Sequence, residues 1–200
     1  MKISRRSFVG TGLAGAAGLY AGINPLAAQQ GPAAEDGYKL WLRYAPPPAD
    51  AIARYKQTVK QVFVTGDSPT ARATGLELTQ GLTAMSLPPS VVKTTGEPVL
   101  MDGAVYVTRS DSPAIRMLGG NADLDNVGKE GFIIRPARIQ NRNVTVIASQ
   151  GDIGALYGAF HFLRLIQTGQ PIDRLNVVER PKLQLRLVNH RDNLDGSNES

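Results

Sequence analysis

Two hundred residues with 42% hydrophobic content, 21 glycines and 20% charged residues are enough for one globular domain with a real core, and they exclude a chain disordered through its bulk. The formal charge of +5 becomes +2 without Lys2, Arg5 and Arg6 near the amino terminus, which argues against a dedicated nucleic-acid surface. There is no cysteine, so disulfides, thiol nucleophiles and cysteine-ligated metals are excluded.

The chain opens with Ser4-Arg5-Arg6-Ser7-Phe8-Val9, close to the twin-arginine export pattern, followed by a weakly apolar Gly/Ala-rich stretch from Val9 to Gly22. Residues 1–28 are therefore expected to be a removable signal peptide, with cleavage near Ala28, which implies export to the periplasm or beyond. The stretch is too short and too rich in glycine for a stable membrane span, which needs about twenty strongly apolar residues. Gly10-Thr11-Gly12-Leu13-Ala14-Gly15 matches the dinucleotide-binding glycine pattern, but the strand before it and the helix after it are missing, so no nucleotide site is expected.

Beyond a flexible entry at Gln29 to Ala34, Tyr38 to Tyr44 reads as a first strand, ended by Pro46-Pro47-Pro48. A short helix is expected over Asp50 to Lys60 and a buried strand over Gln61 to Thr65. Ser68-Pro69 is a helix start signal for a helix over Ala71 to Met85, with Leu78, Leu82 and Met85 on one face. Further strands are expected at Val91 to Val92, Ala104 to Thr108, Gly131 to Arg135 and Val144 to Ser149, the last two as a hairpin. Arg135, Arg138 and Arg142 on that hairpin read as a solvated edge. The loop Gly119 to Asn126 alternates oxygen side chains like a calcium loop. It lacks glycine at the sixth position and glutamate at the twelfth, and reads as a solvated turn.

The longest apolar element is Asp152 to Thr168, with Asp152 as the expected cap and Gly169 as the stop. Leu156, Phe160 and Leu163 mark one face, and Ala155, Ala159, Phe162 and Ile166 a neighbouring one. That arc is wider than one sheet covers, which implies either a helix threading one core or docking of helix 152–168 on a second domain or partner chain. Gly154 and Gly158 leave a shallow strip for close backbone approach. His161 has no second histidine or carboxylate at helical spacing and reads as a hydrogen-bonded structural residue, not a base or metal ligand. No Gly-x-Ser-x-Gly elbow occurs, so a serine hydrolase is not expected.

Three segments carry a resemblance: Glu35 to Tyr44; Gly154 to Leu165 with Gln167-Thr168-Gly169-Gln170; and Asn189-His190-Arg191-Asp192-Asn193-Leu194-Asp195-Gly196. Together they resemble glycoside hydrolase family 67, the α-glucuronidases of xylan breakdown. The resemblance departs at Arg191, where the family motif has Trp, and in Ser197-Asn198-Glu199-Ser200. It implies an α/β (α+β) fold, with a small mixed sheet and packed helices like the accessory domain of hexosaminidases. This domain would span 35–182, and residues 183–200 would begin a (β/α)8 barrel with Leu183 to Val188 as its first strand. The family's reaction resembles inverting hydrolysis by carboxylates on later barrel strands, so no catalytic residue is assigned on this chain. His190, Arg191, Asp192, Asn193 and Asp195 would line the barrel pocket at the end of that strand.

The expected role is the non-catalytic amino-terminal domain of an enzyme removing (4-O-methyl)glucuronic acid from the α-1,2 link of xylo-oligosaccharides. That oligosaccharide would be its partner through the barrel, and no cofactor and no metal is implied. The competing class is a freestanding exported binding module.

Overall fold

The computed structural model describes residues 44–91, 99–117 and 122–183. In chain order the elements are α1 (Ala49–Thr58), β1 (Gln61–Val64), α2 (Pro69–Ala84), β2 (Ser90–Val91), β3 (Ala104–Arg109), α3 (Pro113–Met117), α4 (Ala122–Asn126), β4 (Phe132–Ile139), β5 (Arg142–Ser149), α5 (Asp152–Gln167) and β6 (Val177–Glu179). The six strands form one mixed sheet in the order β2-β1-β3-β5-β4-β6. β2, β1, β3 and β5 run parallel, while β4 is antiparallel to both β5 and β6. This is the small mixed sheet with packed helices that the family resemblance implied.

Strand alternation divides the core into two layers. Val62, Val105, Val107, Ile134 and Ile147 face α1, α2 and α5 and pack with Tyr55, Leu82 and Phe162. Phe63, Tyr106, Ile133, Val146 and Ala148 face the opposite way, where the short helices α3 and α4 supply Ala114, Ile115 and Leu124. The Phe63 and Tyr106 rings meet there at 5.5 Å between centroids. Because β1, β3 and β5 are covered on both faces, their sequences are nearly continuous apolar runs.

Local chemistry explains most boundaries. The Ser68 hydroxyl accepts the Ala71 amide at 3.0 Å, and Pro69 stands at the start of α2, as expected of a capped helix. The β4–β5 hairpin turns through Gln140 and Asn141, both at positive φ (50° and 61°), a two-residue turn whose twist matches that of the strands.

Two local expectations are corrected. The cap of α5 is Gly151. Asp152 is the first helical residue, and its carboxylate accepts the Ser68 hydroxyl at 2.6 Å, which joins the starts of α2 and α5. The expected solvated turn contains helix α4 at Ala122–Asn126, because Leu124 has a core site to fill. Of the expected strand Tyr38 to Tyr44 only Tyr44 is described, and it is buried. Of Leu183 to Val188 only Leu183 is, and it is 67% exposed. The leader, residues 1–28, lies outside the described residues. Among the described residues no helix is long and apolar enough to cross a membrane.

Candidate functional site

The sequence-derived pocket residues His190, Arg191, Asp192, Asn193 and Asp195 all lie outside the described residues. What the structure does place is the helix that precedes them. α5 is held by very close approach on its inner side. A Cβ at Gly154 would collide with Ser149 Oγ and the Gly131 carbonyl, and one at Gly158 would lie 2.6 Å from Ile147 Cγ2. The expected close backbone approach is therefore real, and its partners are the start of β4 and the end of β5. The Ser149 hydroxyl donates to the Gly131 carbonyl at 2.6 Å and so satisfies the polar groups pressed beneath the glycine. On a second side Leu163 fits over Gly81 of α2, where a Cβ would sit 2.9 Å from the leucine methyl.

The fold thus gives α5 two partners, the sheet and α2. The remaining side still carries Ile153 (48% exposed) and Tyr157 (36% exposed), with Leu156 and Phe160 half-buried. Positions 153, 157, 160 and 164 form one stripe along the helix. Alongside it lies a groove of about 400 Å³, walled by Tyr157, Phe160, His161 and Arg164 on α5 and by Glu179 and Pro181 at and after β6. Val178 on the same short strand is 44% exposed. Val178 pairs with Ile133 and so lies on the opposite face of the sheet from α5, and the groove beside the α5 stripe is closed on the β6 side by Glu179 and Pro181.

His161 sits at the base of this groove with its ring 5.5 Å from that of Phe132. Burial holds its pKa below the usual histidine value, and the nearby Arg164 charge pushes the same way against the smaller opposing pull of Glu179. The imidazole is therefore neutral at pH 7 and packs as an aromatic ring. No group of three His, Asp or Glu side chains among the described residues is placed to hold a metal ion.

Other charged groups are held locally. Arg135 pairs with Asp123 of α4, Arg142 with Asp102 at 3.3 Å, and Arg138 donates to the Asn141 side chain at 2.6 Å. The basic trio is a paired hairpin edge. At the carboxyl ends of β1 and β3, where open α/β sheets usually bind ligands, the space measures only about 10 Å³ and Asp152 forms part of its wall.

Sequence reasoning missed β6 and α3. β6 has only three residues and no readable periodicity. α3 was announced by Ser112-Pro113, the same signal as Ser68-Pro69, and the Ser112 hydroxyl indeed accepts the Ile115 amide at 3.3 Å.

Residues 40–162 match the family model described as glycosyl hydrolase family 67 N-terminus. Alpha-glucuronidase A of Aspergillus tubingensis is 31% identical over 170 residues, covering 82% of this chain and 19% of the relative. Probable alpha-glucuronidase A of Aspergillus terreus is 29% identical over 168 residues with the same coverage. A solved structure, a GH138 enzyme targeting pectin rhamnogalacturonan II, overlaps 62% of this chain and 16% of its own at a TM-score of 0.41 and 22% identity. The chain spans about one fifth of the length of the curated relatives it matches, 19% in both cases. With the family match covering residues 40–162, well over half of its length and reaching into α5, the chain belongs to glycosyl hydrolase family 67, as its amino-terminal domain.

Proposed function

We propose that this region is the non-catalytic amino-terminal domain of an exported, xylan-degrading α-glucuronidase, and that the outer stripe of α5 is the seat on which a following (β/α)8 barrel docks. In this reading residues 1–28 direct twin-arginine export, 35–182 form the domain, and 183–200 begin the barrel. His190, Arg191, Asp192, Asn193 and Asp195 line its pocket. The reaction is hydrolysis of the α-1,2 link to (4-O-methyl)glucuronic acid in xylo-oligosaccharides.

The observation that carries this reading is the apolar stripe Ile153-Leu156-Tyr157-Phe160. It borders a groove whose other wall is Glu179 and Pro181, on the path the chain takes after β6. Exposed large apolar side chains grouped in this way mark interfaces, whereas single ones are ordinary. The relatives are named as alpha-glucuronidases and most of their length lies outside the matched region, which supports placing the chemistry elsewhere.

Incubation of the 200-residue chain with glucuronic-acid-bearing xylo-oligosaccharides tests the non-catalytic assignment. No release of glucuronic acid is expected, and specific turnover would overturn it. For the docking seat, the chain should bind a hydrophobic dye or self-associate in sedimentation; a dye-silent monomer would remove the seat.

A further inference from the structure

A second concavity lies apart from the α5 stripe. Along β5, the side chains on the helix-covered face are Ser149, Ile147, Thr145 and Asn143, two residues apart. Ser149 and Ile147 lie under the glycines of α5. Thr145 and Asn143 instead form the floor of an open cavity of about 380 Å³, within the range of roughly 300–1,000 Å³ typical of small-molecule sites. Its walls are Gln57 and Thr58 from the last turn of α1, Pro136 from β4, and Ile172 with Asp173 from the segment after α5.

The chemistry of this lining is selective. Thr145 is only 8% exposed, yet its hydroxyl makes no hydrogen bond to any described residue. The one fully enclosed side-chain polar atom without a partner among the described residues is Arg135 Nε, so the unbonded Thr145 oxygen reaches the cavity. Buried hydroxyls are normally satisfied, and this one is left for a ligand or water. The side-chain amides of Gln57 and Asn143 likewise have no partner among the described residues.

The only ionisable lining group is Asp173, an exposed carboxylate 3.7 Å from Arg174. An anion finds no cation in the lining, and a cation finds a carboxylate already matched. A purely apolar ligand would strand the hydroxyl and both amides, which costs more than the contact returns. A neutral ligand that both donates and accepts hydrogen bonds, and offers C–H surface to Pro136 and Ile172, satisfies every wall.

We propose that this cavity between α1, the β4–β5 hairpin and the turn after α5 is a binding site for a neutral saccharide, separate from any catalytic centre. It does not rest on the docking reading, because it shares no residue with the α5 stripe.

Amide chemical-shift titration of the full chain, with xylotriose and maltotriose as neutral probes and glucuronic acid as the anionic control, tests it. Either trisaccharide at about 10 mM should shift the amides of Gln57, Thr58, Asn143, Thr145 and Asp173, with affinity in the millimolar range. Thr145→Val keeps the shape and should weaken binding about three- to tenfold, the loss of one hydrogen bond, with the melting temperature unchanged. Asn143→Ala, at an exposed position, supplies a second variant with the same expectation. The site is overturned if neither trisaccharide moves these amides, if both variants bind like the parent chain, or if glucuronic acid binds there as tightly. Shifts confined to Tyr157, Phe160 and His161 would also overturn it, while leaving the docking seat to its own dye test.

Discussion

The two sides of α5 are both apolar in sequence, yet they do different work. Inward it presents glycine and alanine at 154, 155, 158 and 159, and these let the helix sink onto the sheet until Ser149, Gly131 and Ile147 touch it. Outward it presents Ile153, Leu156, Tyr157 and Phe160, large side chains that nothing in the described fold fully covers. Hydrophobicity says that a face is to be buried. Along the first half of α5 residue size separates the faces: glycine and alanine make the close contact with the sheet while Ile153 and Tyr157 stay exposed, and in the second half Phe162, Leu163 and Ile166 fill the core.

That contrast can be broken from either side. The largest effect is expected on the inner side from Phe162→Ala, which empties a fully buried site and should cost about 3–5 kcal/mol, read from urea unfolding. Next comes Gly154→Ala, whose methyl group meets backbone and cannot be relieved by a rotamer change. A loss of about 1–3 kcal/mol is expected, and an unchanged midpoint would show that α5 is not pressed onto the sheet as described. On the outer side, Ile153→Ser with Tyr157→Ser should change stability by no more than about 0.5 kcal/mol each while abolishing dye binding. A stability loss like that of the inner variants would make the two sides equivalent.

The smallest effect concerns His161, at the margin between the two sides. Its pKa in the fold is held down, mainly by burial, so the unfolded chain takes up the proton first. Stability from this group is complete above the unfolded value of about 6.5 and is lost as pH falls from there through the folded value. His161→Phe should flatten the stability profile below about pH 6.5, and an unchanged slope would assign it to other groups.

The sequence made the framework legible where local chemistry and tertiary demand agree. Ser68-Pro69 announced α2, the β-branched runs announced β1, β3 and β5, and the glycines of α5 announced close approach. It misled where tertiary context decides. β4 was expected to stop at Arg135, before Pro136, but it runs to Ile139. β6 pairs with Phe132 to Ile134, so among the described residues β4 is an edge strand beyond that point, where a proline is tolerated. Asp152 looked like a cap because it heads the apolar run, and its carboxylate is instead held by Ser68, a partner 84 residues away. The neutral cavity was invisible because Gln57, Asn143 and Thr145 come from separate elements and form no motif. The candidate pocket around His190 was legible only through family resemblance.

The Tyr55 hydroxyl donates to the Gln170 carbonyl at 2.6 Å across a separation of 115 residues, a clasp between α1 and the segment that follows α5. During synthesis at roughly 5–20 residues per second, that partner arrives on the order of ten seconds after α1 leaves the ribosome. Until then Leu78 and Leu82 lack the helix that covers them. The core on the α5 side therefore closes only once nearly the whole of the described domain has been made, so its folding is an end-of-synthesis event.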